Sequence, residues 1–136
     1  MISNDCTHLD ECKSPKDGVL LIAHGSRAKR TERVFEAIAA AVRKRLPDLV
    51  IEIAYMEFGE PTIRGGLDIL KARGITRIRA MPYFLFEGIH ISVDIARALN
   101  EYMASNPDVQ IAICSTLSSD DDERLADIVA DRIMGC

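Results

Sequence analysis

Three side chains that can bind a metal ion and move protons follow three separate apolar segments of this chain. His24 and Glu57 each come within two residues of the end of a short apolar run, and His90 follows a third such run. Imidazole nitrogen and carboxylate oxygen are ligands for first-row divalent metals, and neutral imidazole accepts a proton near pH 7. Each histidine could instead cap a helix or hydrogen-bond to a loop carbonyl group. The residue types therefore predict a metal site only if the fold brings the three together.

The hydrophobic pattern predicts four strands that alternate with four helices. Short apolar runs of the kind buried on both faces indicate strands at 19–23, 50–55, 76–82 and 109–115. Apolar residues at helical spacing indicate helices over 28–46, from Pro61 and from Ile91, although Gly65 and Gly66 weaken the second. The last helix is expected to begin with a capping box at 118–122 and to bury one face, made of Leu125, Ile128, Val129 and Ile133.

Alternation of this kind is typical of a parallel sheet with helices on both faces and right-handed crossovers. Four strands favour a flavodoxin-like three-layer α/β sandwich with the strand order 2-1-3-4. Strand 1 then lies between strands 2 and 3, roughly 5 Å from each. Ligands of open α/β sheets bind at the carboxyl ends of the strands, where the order reverses. His24, Glu57 and His90 are therefore expected to converge at this edge and to hold a divalent metal ion with open coordination positions.

Two further groups of side chains fall near the same edge, and each has two interpretations. Five of the seven Phe and Tyr residues flank the ends of strands 2 and 3, where they could pack in the core or form an apolar wall for a large flat ligand: Tyr55, Phe58, Tyr83, Phe84 and Phe86. A run of cations opens the first helix, where it could bind an anion or form an ordinary solvated face: Arg27, Lys29, Arg30 and Arg33.

Length and composition limit the classes of protein. The 136 residues fit one domain at 18–136 behind a polar tail at 1–17, and the net charge of −4 disfavours binding to nucleic acid or an anionic membrane surface. No apolar run approaches the roughly 20 residues that span a bilayer. The first 17 residues have no apolar core of a secretory signal, so we expect a cytoplasmic protein whose four cysteines are thiols. The tail pattern of Cys6, His8 and Cys12 could load a metal, but an incidental tail is favoured.

Four segments, in order, resemble one known family. They are LLIAHGSR at 20–27, YMEFGEP at 55–61, MPYFLFEGIH at 81–90, and the pair Asp94-Ile95. Together they resemble the sirohydrochlorin chelatases of the CbiX type over about residues 18–134. The resemblance implies a class II chelatase, which inserts Co²⁺, Fe²⁺ or Ni²⁺ into a sirohydrochlorin-type tetrapyrrole without ATP. Such an enzyme has no permanently bound cofactor, because the metal ion is a substrate.

The resemblance also implies roles for individual residues. His24 and His90 fall on the family's metal-binding and catalytic histidines, and Glu57 falls at its acidic position, with Glu60 as the alternative. The substrate is then expected to contact a further set: Ser26, Arg27, Lys29, Arg30, Tyr83, Phe84, Phe86 and Gly88. The chain resembles the short form of the family, which implies that two copies form one enzyme. A metal carrier or tetrapyrrole-binding module without catalysis remains the alternative function, since fold alone does not distinguish them.

Overall fold

The computed structural model describes residues 17–136, which form one parallel four-stranded sheet in the order β2-β1-β3-β4 with four helices. The strands are β1 (Asp17–Ala23), β2 (Val50–Tyr55), β3 (Arg77–Pro82) and β4 (Gln110–Ile113). The helices are α1 (Lys29–Arg45), α2 (Ile63–Ala72), α3 (Ile89–Ser105) and α4 (Arg124–Met134). The predicted fold class and strand order are confirmed.

The larger part of the core lies between the sheet and helices α2 and α3. Leu20 of β1, Leu67 of α2 and Leu99 of α3 are fully buried in it. Gly66 lets α2 approach the sheet closely, because a Cβ atom there would lie 2.6 Å from Leu20 Cδ1 and 3.2 Å from the Ile53 carbonyl oxygen. Packing against the sheet thus explains Gly66, one of the two glycines that weaken the helix by propensity.

Polar contacts also hold α2 in place. The Thr62 hydroxyl accepts a hydrogen bond from the backbone N–H of Gly65 at 3.1 Å and caps the helix. The Tyr102 hydroxyl of α3 donates to the Asp68 carboxylate of α2 at 2.9 Å. Burial, together with this hydrogen bond, raises the pKa of Tyr102 to about 12, so the phenol keeps its proton and the bond even at a pH that ionises an ordinary tyrosine.

The opposite face of the sheet carries a smaller cluster under α1. Phe35 and Ala39 of α1 pack there against Leu21 of β1 and Tyr55 of β2. The Phe35 and Tyr55 rings meet edge to face with centroids 5.5 Å apart. This cluster packs the middle of α1 against β1 and β2, and the cationic run lies at the N-terminal end of the same helix.

Helix α4 differs from its prediction in two ways. Its N-cap is Glu123, whose side chain makes no cap with any described residue. In the predicted capping segment, Ser119 Oγ bonds to Asp121, and only Asp122 reaches the helix, where its carboxylate accepts a hydrogen bond from the backbone N–H of Arg124 at 3.1 Å. None of its residues is buried, and Ile128 and Ile133 are exposed. The apolar spacing correctly predicts that one face of the helix is apolar. The predicted burial of that face is wrong for residues 17–136, because no surface within them covers it.

Several boundaries also shift. Strand β1 starts at Asp17, which is buried although the sequence pattern placed it in the polar tail. Residues 1–16, with the cysteine and histidine pattern of the tail, lie outside the described residues. Helix α3 starts at Ile89, two residues earlier than expected, so His90 belongs to the helix. Within residues 17–136, none of the helices has the length and apolar character to cross a membrane.

Candidate functional site

The loops that follow β1 and β2 are hydrogen-bonded to each other just beyond the ends of the two strands. The backbone N–H of Met56 donates to the Ala23 carbonyl at 2.9 Å, and that of Glu57 donates to the His24 carbonyl at 3.0 Å. This pairing holds the two side chains together, with His24 Nε2 3.2 Å from Glu57 Oε1. Both side chains are 51% exposed, so the pair is open to a ligand. The expected approach of His24 and Glu57 is present in the structure.

Gly25 makes this approach possible. Its φ is +100°, in the region that favours glycine, and a Cβ atom there would lie 1.7 Å from the Glu57 carbonyl oxygen. No residue with a side chain fits without moving one of the two loops. This role of Gly25 was not predicted, although its place directly after the histidine at the end of a buried strand was the available signal.

His90 reaches the site from α3 rather than from a loop at the end of β3. Gly88 is the N-cap of α3, so His90 lies in its first turn. His24, Glu57 and His90 line one open cavity of about 580 Å³. Among residues 17–136, no three His, Cys, Asp or Glu side chains are grouped closely enough to hold a metal ion. The chain therefore presents a His–Glu pair and a second imidazole on one cavity rather than a closed three-ligand centre.

Other polar side chains of this cavity were not predicted as site residues. Arg64 follows the N-cap of α2 by two residues, and Asp94 lies one turn beyond His90 on α3, and both line the cavity. Asp94 pairs with Arg97 at 3.8 Å. The position of Arg64, in the first turn of a helix at the carboxyl edge, was the signal that could have identified it.

The three cations that are predicted to contact the substrate have different surroundings. The Arg27 guanidinium carbon lies 4.6 Å from the centroid of the Phe58 ring. Lys29 Nζ lies 3.7 Å from a carboxylate oxygen of Glu32, so its charge has a partner on α1. Arg30 lines a second cavity, of about 390 Å³, together with His24. The three cations therefore do not form one patch: Arg27 lies against an aromatic ring, Lys29 against a carboxylate of its own helix, and Arg30 at the second cavity.

The aromatic residues divide between the core and the site. Tyr55 is buried, which agrees with core packing. The ring centroids of Tyr83 and Phe35 are 5.4 Å apart, and Tyr83 also lines the second cavity, as does Phe84. Phe86 is 73% exposed.

A third cavity opens between the ends of β3 and β4. It measures about 350 Å³ and is lined in part by Phe84, Phe86 and Gly88. Ser26 has a local role, since its hydroxyl accepts a hydrogen bond from the Ala28 N–H at 3.1 Å at the start of α1.

Of the two carboxylates that were predicted as alternatives, Glu57 is the one paired with His24, and Glu60 is not.

Proteins that are similar in sequence to this chain include sirohydrochlorin cobaltochelatases and ferrochelatases. It is 36% identical over 127 residues to the sirohydrochlorin cobaltochelatase of Methanococcoides burtonii, an alignment that covers 89% of this chain and 97% of the relative. It is 28% identical to the chloroplastic sirohydrochlorin ferrochelatase of Arabidopsis thaliana, covering 88% of this chain and 52% of that protein.

A solved structure and a family model agree with these relatives. The sirohydrochlorin chelatase SirB from Bacillus subtilis, solved in complex with cobalt, superposes with a TM-score of 0.82 at 26% identity, covering 88% of this chain and 50% of that one. The CbiX family model matches residues 18–135, which include His24, Glu57 and His90. The chain belongs to the CbiX family.

Proposed function

We propose that this protein is a sirohydrochlorin chelatase that inserts a divalent metal ion, Co²⁺ first and Fe²⁺ or Ni²⁺ as alternatives, without ATP. The observation that carries the proposal is the contact of His24 with Glu57 at 3.2 Å, beside a cavity that His90 also lines. In a chain of the CbiX family, these are the groups that the reaction needs. The names of its relatives include both cobalt and iron, so the sequence relationship leaves the metal open.

The reaction must remove two pyrrole protons and deliver a metal ion to one face of the macrocycle. A neutral imidazole of His24 or His90 can bind the metal ion or accept a proton. Glu57 can hold the imidazolium that forms at His24, because their side chains are in contact. An incomplete ligand set suits a substrate metal, since the open positions allow transfer to the pyrrole nitrogens.

Metallation measured by absorbance, with excess metal and each of the three ions in turn, tests this proposal. A chelatase converts many equivalents of sirohydrochlorin per protein chain. A metal carrier or tetrapyrrole-binding module stops after one equivalent, and that result would favour the alternative function.

Neutralising the cations at the start of α1 is expected to weaken substrate binding. If Arg27, Lys29 and Arg30 hold substrate carboxylates, the triple glutamine variant should raise KM more than it lowers kcat. Added salt should raise the wild-type KM as well, because exposed charges are screened over about 8 Å at physiological ionic strength. An unchanged KM in the triple variant would show that this segment is an ordinary solvated helix face.

A homodimer with the sites beside its interface is part of the same proposal. The chain spans half the length of SirB, and one four-stranded domain offers one wall to a disc-shaped substrate. Exposed apolar residues lie around the start of α3, next to His90: Leu85 and Phe86 in the preceding loop, and Ile89 and Val93 on the helix. Ile89 and Val93 lie one helical turn apart and are 82% and 48% exposed, as expected for a surface that a second copy covers.

Sedimentation at micromolar concentration is expected to give a species of twice the 15.1 kDa chain mass. Ile89→Asp should shift this species to the monomer, because a charge would be buried in the interface. Ile69→Asp is the matched control, since Ile69 is an exposed isoleucine on α2 outside this group of residues. A wild-type monomer that still turns over would disprove the dimer.

The cytoplasm remains the proposed location. Among the described residues, Cys136 is an exposed free thiol, a state that the reducing cytoplasm maintains.

A further inference from the structure

Phe58 has an unusual backbone conformation for an aromatic residue. Its φ is +58°, and among residues 17–136 it is the only residue other than glycine with a positive φ. A bulky side chain in this region is strained, and such strain is concentrated at binding and catalytic sites. The ring is 48% exposed, so core burial accounts for only part of what would offset the strain.

The position of Phe58 relates it to the proposed site. It directly follows Glu57, whose backbone N–H bonds to the His24 carbonyl at 3.0 Å. The guanidinium group of Arg27, three residues after His24, lies 4.6 Å from the centroid of the Phe58 ring. The two loops that bring His24 to Glu57 thus also bring a cation onto an exposed aromatic ring.

We infer that Phe58 and Arg27 form a binding platform that positions the tetrapyrrole against the His24–Glu57 pair. This inference rests on the proposed function and adds Phe58 to its substrate contacts. The exposed part of the ring offers apolar surface to the flat macrocycle, and the guanidinium group offers a charge to one of its carboxylates. The contact with the ring limits the motion of Arg27 before the substrate arrives, which lowers the entropy lost on binding.

Two substitutions at Phe58 separate binding from backbone strain. Asparagine tolerates a positive φ but has no ring, whereas tyrosine keeps the ring and the strain. Phe58→Asn is expected to raise the Kd for metal-free sirohydrochlorin about tenfold, measured by its fluorescence, and to raise KM similarly with kcat within about threefold. Its Tm should stay equal to that of the wild type or rise by about 2–5 °C as strain is relieved. Phe58→Tyr should retain the wild-type Kd.

The matched control is Leu46→Asn, another exposed apolar residue, at the far end of α1 with an ordinary φ of −126°. It should leave both Kd and KM unchanged. A Kd in Phe58→Asn within about threefold of wild type overturns the inference whatever the Tm, and so does an equal loss of affinity in Phe58→Tyr. Wild-type protein that binds sirohydrochlorin without metallating it would disprove the proposed function but not the platform. Wild-type protein that does not bind it would disprove both.

Discussion

Replacing His24 or His90 with alanine is expected to lower the rate of sirohydrochlorin metallation by about 10²-fold or more, because each loss removes a proton acceptor and a metal ligand. Both side chains are exposed, so these variants should fold like the wild type. The measurement is the initial rate of metallation at saturating sirohydrochlorin and metal, with far-ultraviolet circular dichroism to check the fold. His24→Ala should also free Glu57, whose carboxylate loses its contact at 3.2 Å.

His8→Ala is the matched control, because it removes the third histidine of the chain, which belongs to the tail pattern. We expect it to have nearly the wild-type rate. A loss as large as that of His24→Ala would place the tail in the site and contradict the assignment of the metal-binding groups. A wild-type rate in His90→Ala would restrict the proton and metal chemistry to His24 and Glu57.

The order of the strands and the meeting of His24 with Glu57 could be predicted because both follow from local patterns. An unbroken apolar run such as Leu20 to Ile22 has no polar face, so it must be covered on both sides. Parallel pairing then places the residues after β1 and β2 at one edge, whatever their separation in the chain. Here the backbone pairing continues past both strands, and the side chains follow it.

Features that depend on packing between distant elements were harder to predict. The spacing of Ile128 and Ile133 shows that one face of α4 is apolar, but spacing does not identify the surface that covers it. Tyr55 ends β2 and Phe86 follows β3, and both are aromatic. Tyr55 is buried because it lies under α1, whereas Phe86 is exposed. The backbone strain at Phe58 has no signal in residue type at all.

Gly25→Ala is expected to damage both stability and activity, because of where the new methyl group would lie. The added Cβ would be 1.7 Å from the Glu57 carbonyl oxygen, and the φ of +100° is itself unfavourable for alanine. The loops must separate, which strains or breaks the hydrogen bond between Glu57 and His24. We expect the free energy of unfolding to fall by about 3 kcal/mol or more, as for other severe backbone conflicts. We expect metallation to fall by about 10²-fold, since a displacement near 1 Å is enough for such a loss.

Gly74→Ala isolates the conformational part of this effect. Gly74 also has a positive φ, +83°, but a Cβ atom there would have nothing within 4 Å, and the residue follows α2 at the opposite edge of the sheet. Its alanine variant should lose only about 1 kcal/mol of unfolding free energy and keep its metallation rate. Denaturant unfolding and the absorbance assay, run on both variants, give the comparison. If Gly25→Ala behaved like Gly74→Ala in both measurements, the two loops could move apart without loss of stability. The metallation rate would then not depend on the close approach of His24 to Glu57.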